Sequence, residues 1–175
     1  DGTNTPIKDS FDSDNVDNYE LGAKLTLLDN RLQVNTAVYR IDWEKIPLFV
    51  NAPTFGCGVR ANAGDARSQG FEIETTYQLN DSVRVSLGGA YTDAELTEAA
   101  LAVPFSKGDR LPGAPVYSVN FSLQYEFEIK GRASYMRGDY AYVSDYFSVA
   151  GVDKSISGGV ASGDYGQANI SAGII

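Results

Sequence analysis

Apolar and polar residues alternate most strictly across residues 117–127. Tyr117, Val119, Phe121, Leu123, Tyr125 and Phe127 share one parity there, and Ser118, Asn120, Ser122, Gln124 and Glu126 the other. A period of two sends successive side chains to opposite faces, so this stretch predicts a β-strand with one apolar and one polar face. Residues 71–79 repeat the pattern, with Phe71, Ile73, Thr75, Tyr77 and Leu79 opposing Glu72, Glu74, Thr76 and Gln78. Residues 83–91 and 19–27 add two more strands, with Val83, Val85, Leu87 and Tyr91, then Tyr19, Leu21, Leu25 and Leu27, on their apolar sides. Three further strands are less regular. Across 32–43 the apolar parity switches between Leu32 and Val34 at one end and Tyr39, Ile41 and Trp43 at the other, which predicts a β-bulge. Residues 132–146 are rich in tyrosine with no distinct inward parity. Residues 166–174 set Ala168, Ile170, Ala172 and Ile174 against Gln167, Asn169 and Ser171.

The connections sort the strands. Leu28-Asp29-Asn30-Arg31, Asn80-Asp81-Ser82 and Glu128-Ile129-Lys130-Gly131 read as tight polar turns, alternating with long links over 47–62, 94–115 and 147–163. In an up-and-down meander this alternation gathers every tight turn at one end, the asymmetry of outer-membrane barrels. A soluble β-sandwich would also alternate, but its strands average about five or six residues, shorter than the stretches here. Aromatics near the strand ends (Tyr19, Trp43, Phe71, Tyr91, Tyr117 and Phe127) suit interfacial girdles. The expected fold is all-β, an antiparallel up-and-down meander of about seven transmembrane strands. Odd strand number puts the termini on opposite sides, so further strands are expected outside this sequence.

Composition narrows the function classes. The 175 residues are 43% hydrophobic, yet the mean hydropathy is only -0.22. The longest apolar run, 99–105, is far short of the roughly 20 residues a transmembrane helix needs. A net charge of -9 argues against a nucleic-acid partner, whose phosphates require Lys and Arg. With no histidine, Ser-His-Asp catalysis and histidine metal ligation are excluded in this segment, and an enzyme is not expected. No cofactor is expected either.

Particular strings then carry a family resemblance. Val16-Asp17-Asn18-Tyr19-Glu20-Leu21-Gly22-Ala23-Lys24, Leu27-Leu28-Asp29-Asn30-Arg31-Leu32 and Ala37-Val38-Tyr39-Arg40-Ile41-Asp42-Trp43 resemble consecutive barrel strands of TonB-dependent receptors. Asn62-Ala63-Gly64-Asp65-Ala66, Gln69-Gly70-Phe71-Glu72-Ile73-Glu74, Ala90-Tyr91-Thr92-Asp93-Ala94 and Gly108-Asp109-Arg110-Leu111-Pro112-Gly113-Ala114-Pro115 continue the resemblance in order. It implies part of a 22-stranded outer-membrane β-barrel, a size whose lumen holds a plug. It further implies TonB-energised uptake of a scarce nutrient such as a ferric siderophore, with outer-membrane lipid, the TonB complex and a small-molecule ligand as partners. Residues 1–175 would be partial barrel, without the plug, the TonB-contacting box or the last strands. A passive or structural barrel (porin or adhesin) and a soluble β-sandwich binding module are the alternatives.

Candidate residues follow from position. Glu20, Lys24, Glu72, Glu74 and Arg84 fall on polar strand faces and are expected to face the lumen, either touching a plug or passing ligand or forming a hydrated, salt-bridged wall. In the long links, Phe49, Asn51, Phe55 and Arg60 combine aromatic, amide and cationic groups suited to ligand contact. Tyr140 and Tyr142, with Tyr146 and Phe147, would either stack on a ligand or anchor at the membrane interface. Cys57 is either half of a disulfide or a free thiol. Asp9, Asp12, Asp14 and Asp17 lack the pattern of a calcium loop and read as a solvated acidic segment.

Overall fold

The computed structural model describes residues 11–52, 57–100, 105–148 and 161–174. Their strands are β1 (Asn15–Leu27), β2 (Leu32–Glu44), β3 (Pro47–Ala52), β4 (Cys57–Asn62), β5 (Gly64–Asn80), β6 (Val83–Ala99), β7 (Tyr117–Ile129), β8 (Arg132–Val143), β9 (Tyr146–Phe147), β10 (Ala161–Ser162) and β11 (Tyr165–Ile174). Seven of them form one antiparallel sheet in the order β1-β2-β5-β6-β7-β8-β11, while β3–β4 and β9–β10 pair separately in the long connections. Each strand of the sheet follows its neighbour in sequence, so the tight turns share one end and the long connections the other. β1 and β11 close the two ends of that order, and no ladder joins them among the described residues.

The turns are built as their residues dictate. Lys130 and Gly131 both have positive φ (51° and 75°) and link Ile129 to its partner Arg132 in a two-residue hairpin. At the next turn, Asn80 Oδ1 accepts from the Ser82 and Val83 amides at 2.9 and 3.0 Å. Leu28, Asp29 and Asn30 all take positive φ, closed by Arg31 N–H to Leu28 O at 3.1 Å.

Register sorts the two faces. Directly opposed residues point the same way, and the ladders place Leu21, Leu25, Val34, Val38, Phe71, Ile73, Tyr77, Val85, Leu87, Tyr91, Tyr117, Val119, Phe121, Leu123 and Tyr125 on one face. No second layer covers it among the described residues: Val119, Phe121 and Leu123 stay 41–42% exposed in the middle of the sheet. The soluble sandwich is thereby set aside. Tyr117 to Phe127 spans ten residue steps of β7, about 34 Å along the strand, or about 25 Å of height at barrel tilt, matching the apolar band of outer-membrane barrels. The aromatics at its upper margin descend across the rows. Tyr19 lies opposite Arg40, Phe71, Tyr91 and Tyr117 form a continuous row one step lower, and Tyr142 and Tyr140 lie lower still, opposite Val119 and Phe121. A flat membrane plane cuts tilted strands along such a diagonal.

Three expectations are corrected here. β2 contains no bulge: its register runs unbroken from Leu32 to Trp43, and the shifts lie instead in the β5–β6 pair, at Asp65/Ala66 and at Gln78/Asn80. Trp43 is not a girdle residue. It shares the inward face with Tyr39 and Ile41, because above Val38 the strand leaves the apolar band and its outward positions become Arg40 and Asp42. β5 and β6 also run further than the alternation indicated, to 17 residues each, so part of the 94–115 link is strand.

Tyr39 lies across the neighbouring strand, its hydroxyl 2.9 Å from Thr92 Oγ1, and Gly70 is what it crosses. A Cβ at Gly70 would sit 2.0 Å from Tyr91 O and 2.9 Å from Tyr39 Oη. Gly70→Ala is therefore expected to destabilise the barrel by about 1–3 kcal/mol through overpacking. Comparing denaturant midpoints of the two full-length proteins in lipid checks this, and equal midpoints would contradict it.

Candidate functional site

The inward face carries the polar groups. Glu20 opposes Tyr39, Lys24 opposes Asn35, Glu72 and Glu74 oppose Ala37 and Asn35, and Arg84 opposes Gln78, so the five charges selected from sequence share this face. Much of the rest of the face pairs with itself. Arg84 donates to Gln78 Oε1 at 2.9 Å, Gln124 to Glu126 Oε1 at 2.8 Å, and Arg137 to Asp139 Oδ1 at 2.9 Å. Glu20, Lys24, Glu72 and Glu74 behave differently: among the described residues their charged groups make no hydrogen bond or ion pair. Together with Asn35 they ring an open hollow of about 460 Å³ above Gly22 and Ala37. Glu72 and Glu74 lie inside the sheet, where their lateral neighbours are Ala37, Ala90, Asn35 and Gly88. The nearest cation on this face is Lys24, two strands away across Asn35, and it lines the same hollow.

At the long-connection end a small core closes over the same face. Ile46, Leu48, Ala63, Ala66, Leu96 and Phe105 are buried together, with Trp43, Ala61 and Leu111 packed around them. Gly64 makes this fold possible at φ 128°, where a Cβ would lie 2.0 Å from Glu98 O. The segment after β6 returns along it, with Leu96 N–H to Asp109 O at 2.9 Å, Gly108 N–H to Leu96 O at 2.7 Å and Leu111 N–H to Ala94 O at 2.9 Å. Trp43 Nε1 donates to Asp14 Oδ2 at 2.7 Å, and Asn62 holds the chain before β1 through Asp12 N and O at 2.8 and 3.0 Å.

Projecting from this core, β3 and β4 place Phe49 directly opposite Arg60, both exposed, while Leu48 on the other face is buried in the cluster. Asn51 lies two positions along β3, paired with Gly58. Phe55 is outside the described residues. Cys57 begins β4, and Asp9 is outside the described residues. Tyr140 and Tyr142 share the apolar face with Phe121 and Val119, and Tyr142 donates to Asp164 Oδ2 at 3.1 Å. Of the two roles weighed for them, interfacial anchoring suits that face.

One residue had no assigned role in the sequence reading. Arg110 joins two long connections: it donates to Asp145 Oδ2 at 3.3 Å and Asp145 O at 3.2 Å, and its guanidinium lies 4.9 Å from the Phe147 ring centroid. Its string, Gly108 to Pro115, was noticeable only as a resemblance, because the partner lies 35 residues away.

Comparison with known proteins agrees with this architecture. The family described as TonB dependent receptor-like, beta-barrel, matches residues 2–174. The metal-pseudopaline receptor CntO of Pseudomonas aeruginosa is 32% identical over 150 residues, covering 85% of this chain and 20% of that protein. The probable TonB-dependent siderophore receptor PiuA of Acinetobacter baumannii is 24% identical over 124 residues, covering 66% of this chain and 16% of that protein. This chain thus spans about a fifth of the curated relatives' length. The crystal structure of the ferric yersiniabactin uptake receptor FyuA from Yersinia pestis superposes with a TM-score of 0.70 at 19% identity, over 92% of this chain and 22% of that one.

Proposed function

Because this chain belongs to the TonB-dependent receptor family, as barrel wall of the outer membrane, we propose that it forms about seven strands of a 22-stranded barrel that imports a chelated metal. Residues 1–175 are then partial barrel domain, working with a plug and the TonB complex supplied by other regions of the receptor. Transport and recognition, not catalysis, is the activity of this family. The observation that carries the reading is the single sheet with an uncovered apolar face outward and a charged face inward. A metal chelate is favoured as cargo because related proteins are named for a metal–pseudopaline complex and for siderophores.

Glu72 and Glu74, whose carboxylates make no ion pair among the described residues, serve in this reading as a socket for a basic side chain of the plug, with Glu20 and Lys24 at its rim. Arg84 is satisfied within the wall and lines the lumen. Phe49, Asn51, Phe55 and Arg60 are proposed as ligand contacts of the outer rim, the ring stacking and the guanidinium pairing with an anionic chelator.

The test is uptake of a radiolabelled metal chelate by metal-starved cells carrying the full-length receptor. Uptake should disappear when TonB is deleted; uptake unaffected by that deletion would mean a passive pore. Glu72→Gln with Glu74→Gln should raise leakage of large antibiotics through the barrel while leaving its insertion intact. Leakage equal to wild type would reject the socket.

A further inference from the structure

The segment after β6 returns beside it as a short antiparallel ladder, in which Glu95 and Arg110 pair through their backbones. Successive residues of such a ladder face opposite ways. Leu111 packs against the loop-end core, and Arg110 points to the other side, where the β8–β11 connection begins. That connection is held at three successive points. Ser144 N–H donates to Tyr117 O at 2.9 Å, Arg110 reaches Asp145, and Gly113 N–H donates to Phe147 O at 2.8 Å.

The middle point is the one made by a side chain. Asp145 is exposed, so an ion pair alone would hold the connection weakly. The Arg110 guanidinium adds a bond to the Asp145 carbonyl, reaches back to Ala114 O at 3.4 Å, and covers the Phe147 ring. One planar fork thus serves a carboxylate, two carbonyls and a ring face together, which a lysine ammonium on its flexible stem cannot match. Through Leu111 the same segment sits on the core that buries Leu48, the neighbour of Phe49 in β3. Arg110 therefore links the connection bearing Phe49 and Arg60 to the one that starts at Ser144. Holding both in place before a ligand arrives lowers the ordering cost of capture.

We propose that Arg110 is a positioning residue of the outer mouth: it clasps the β8–β11 connection to the loop-end core, so that both present to an arriving chelate in one fixed arrangement. The proposal rests on this chain serving in a receptor that imports a chelated metal. Arg110 acts through Asp145 and Phe147 and does not itself meet the chelate.

Two measurements on the full-length receptor test this. Hydrogen exchange of the purified protein should show the Gly113 amide accelerated about tenfold in Arg110→Gln, with the Ala63 and Gly108 amides unchanged, since these bond to Ile46 and Leu96. Metal-starved cells are then offered radiolabelled ferric catecholate, hydroxamate and carboxylate complexes, and the one that wild type imports best is carried forward. Its half-saturating concentration should rise about tenfold in Arg110→Gln at an unchanged maximal rate. A folding defect would lower the maximal rate instead. Arg110→Lys keeps the charge and should recover little of the loss. Asp145→Asn should weaken capture in the same direction as Arg110→Gln. Unchanged Gly113 exchange or an unchanged half-saturating concentration in Arg110→Gln would overturn the proposal. Full recovery with lysine, or tighter capture by Asp145→Asn, would overturn it too, by showing that Arg110 attracts an anionic chelate directly. Wild-type import that is absent or independent of TonB would reject the receptor reading and the capture role with it, while Gly113 exchange still decides whether the clasp exists.

Discussion

Leu123→Arg is expected to cost the folded barrel about 2–4 kcal/mol in a bilayer, the penalty for a cation on the lipid face near the midplane. Leu123 lies on β7 between Tyr117 and Phe127, which mark the margins of the apolar band, and its row neighbours are Val85 and Gly138. An arginine there has no acceptor within its row. One position earlier, Ser122 points inward between Ser86 and Asp139. Ser122→Arg places the same charge beside a carboxylate and is expected to change stability by less than about 1 kcal/mol. Denaturant titration of the two full-length variants in vesicles separates the faces. Equal costs at 122 and 123 would show that the apolar stripe does not face lipid.

Leu96→Ala should be at least as damaging, about 2–5 kcal/mol, but with a different footprint. Leu96 is fully buried among Ile46, Leu48, Ala63, Ala66 and Phe105, above the apolar band. The resulting cavity loosens the loop-end core and leaves the transmembrane ladders intact. Hydrogen exchange should therefore accelerate at the Ala63, Ala100, Gly108 and Leu111 amides, which bond to Ile46, Ala63, Leu96 and Ala94. Amides of Phe121 and Leu123 should be unaffected. Uniform acceleration across the sheet would mean that this core and the wall unfold as one unit.

The legible parts of this protein are those solvated differently on two sides. Along 117–127 one face meets lipid and the other a wet lumen, so each residue type declares its side, and Glu72, Glu74 and Arg84 are placed by the same logic. The signal fails where the strand leaves the bilayer. At Arg40 and Asp42 the outward face becomes polar, and at Ile41 and Trp43 the inward face becomes apolar, so an uninterrupted strand imitates a bulge. The extensions of β5 and β6 are polar outward and, apart from Leu96, small inward, which reads as loop. The loop-end core was invisible because Ile46 and Leu48, Phe105 and Leu111 lie in stretches without alternation, far apart in sequence and joined only by tertiary folding. Phe49 and Arg60 stand out from sequence by chemistry alone. Their common face depends on the β3–β4 register, which no alternation announces.

The opposed ends of this wall impose an order on its assembly. Each tight turn closes a hairpin between strands adjacent in sequence, so β1–β2, β5–β6 and β7–β8 can zip locally. The loop-end core draws on the β2–β5 connection, the end of β6 and the segment after it, all at the edge remote from those turns. A chain delivered from the turn side must thread Ile46, Leu48, Phe105 and Leu111 across the bilayer before they can meet. Until they meet, these apolar side chains lack the cover that the folded core gives them, where Leu96 is fully buried.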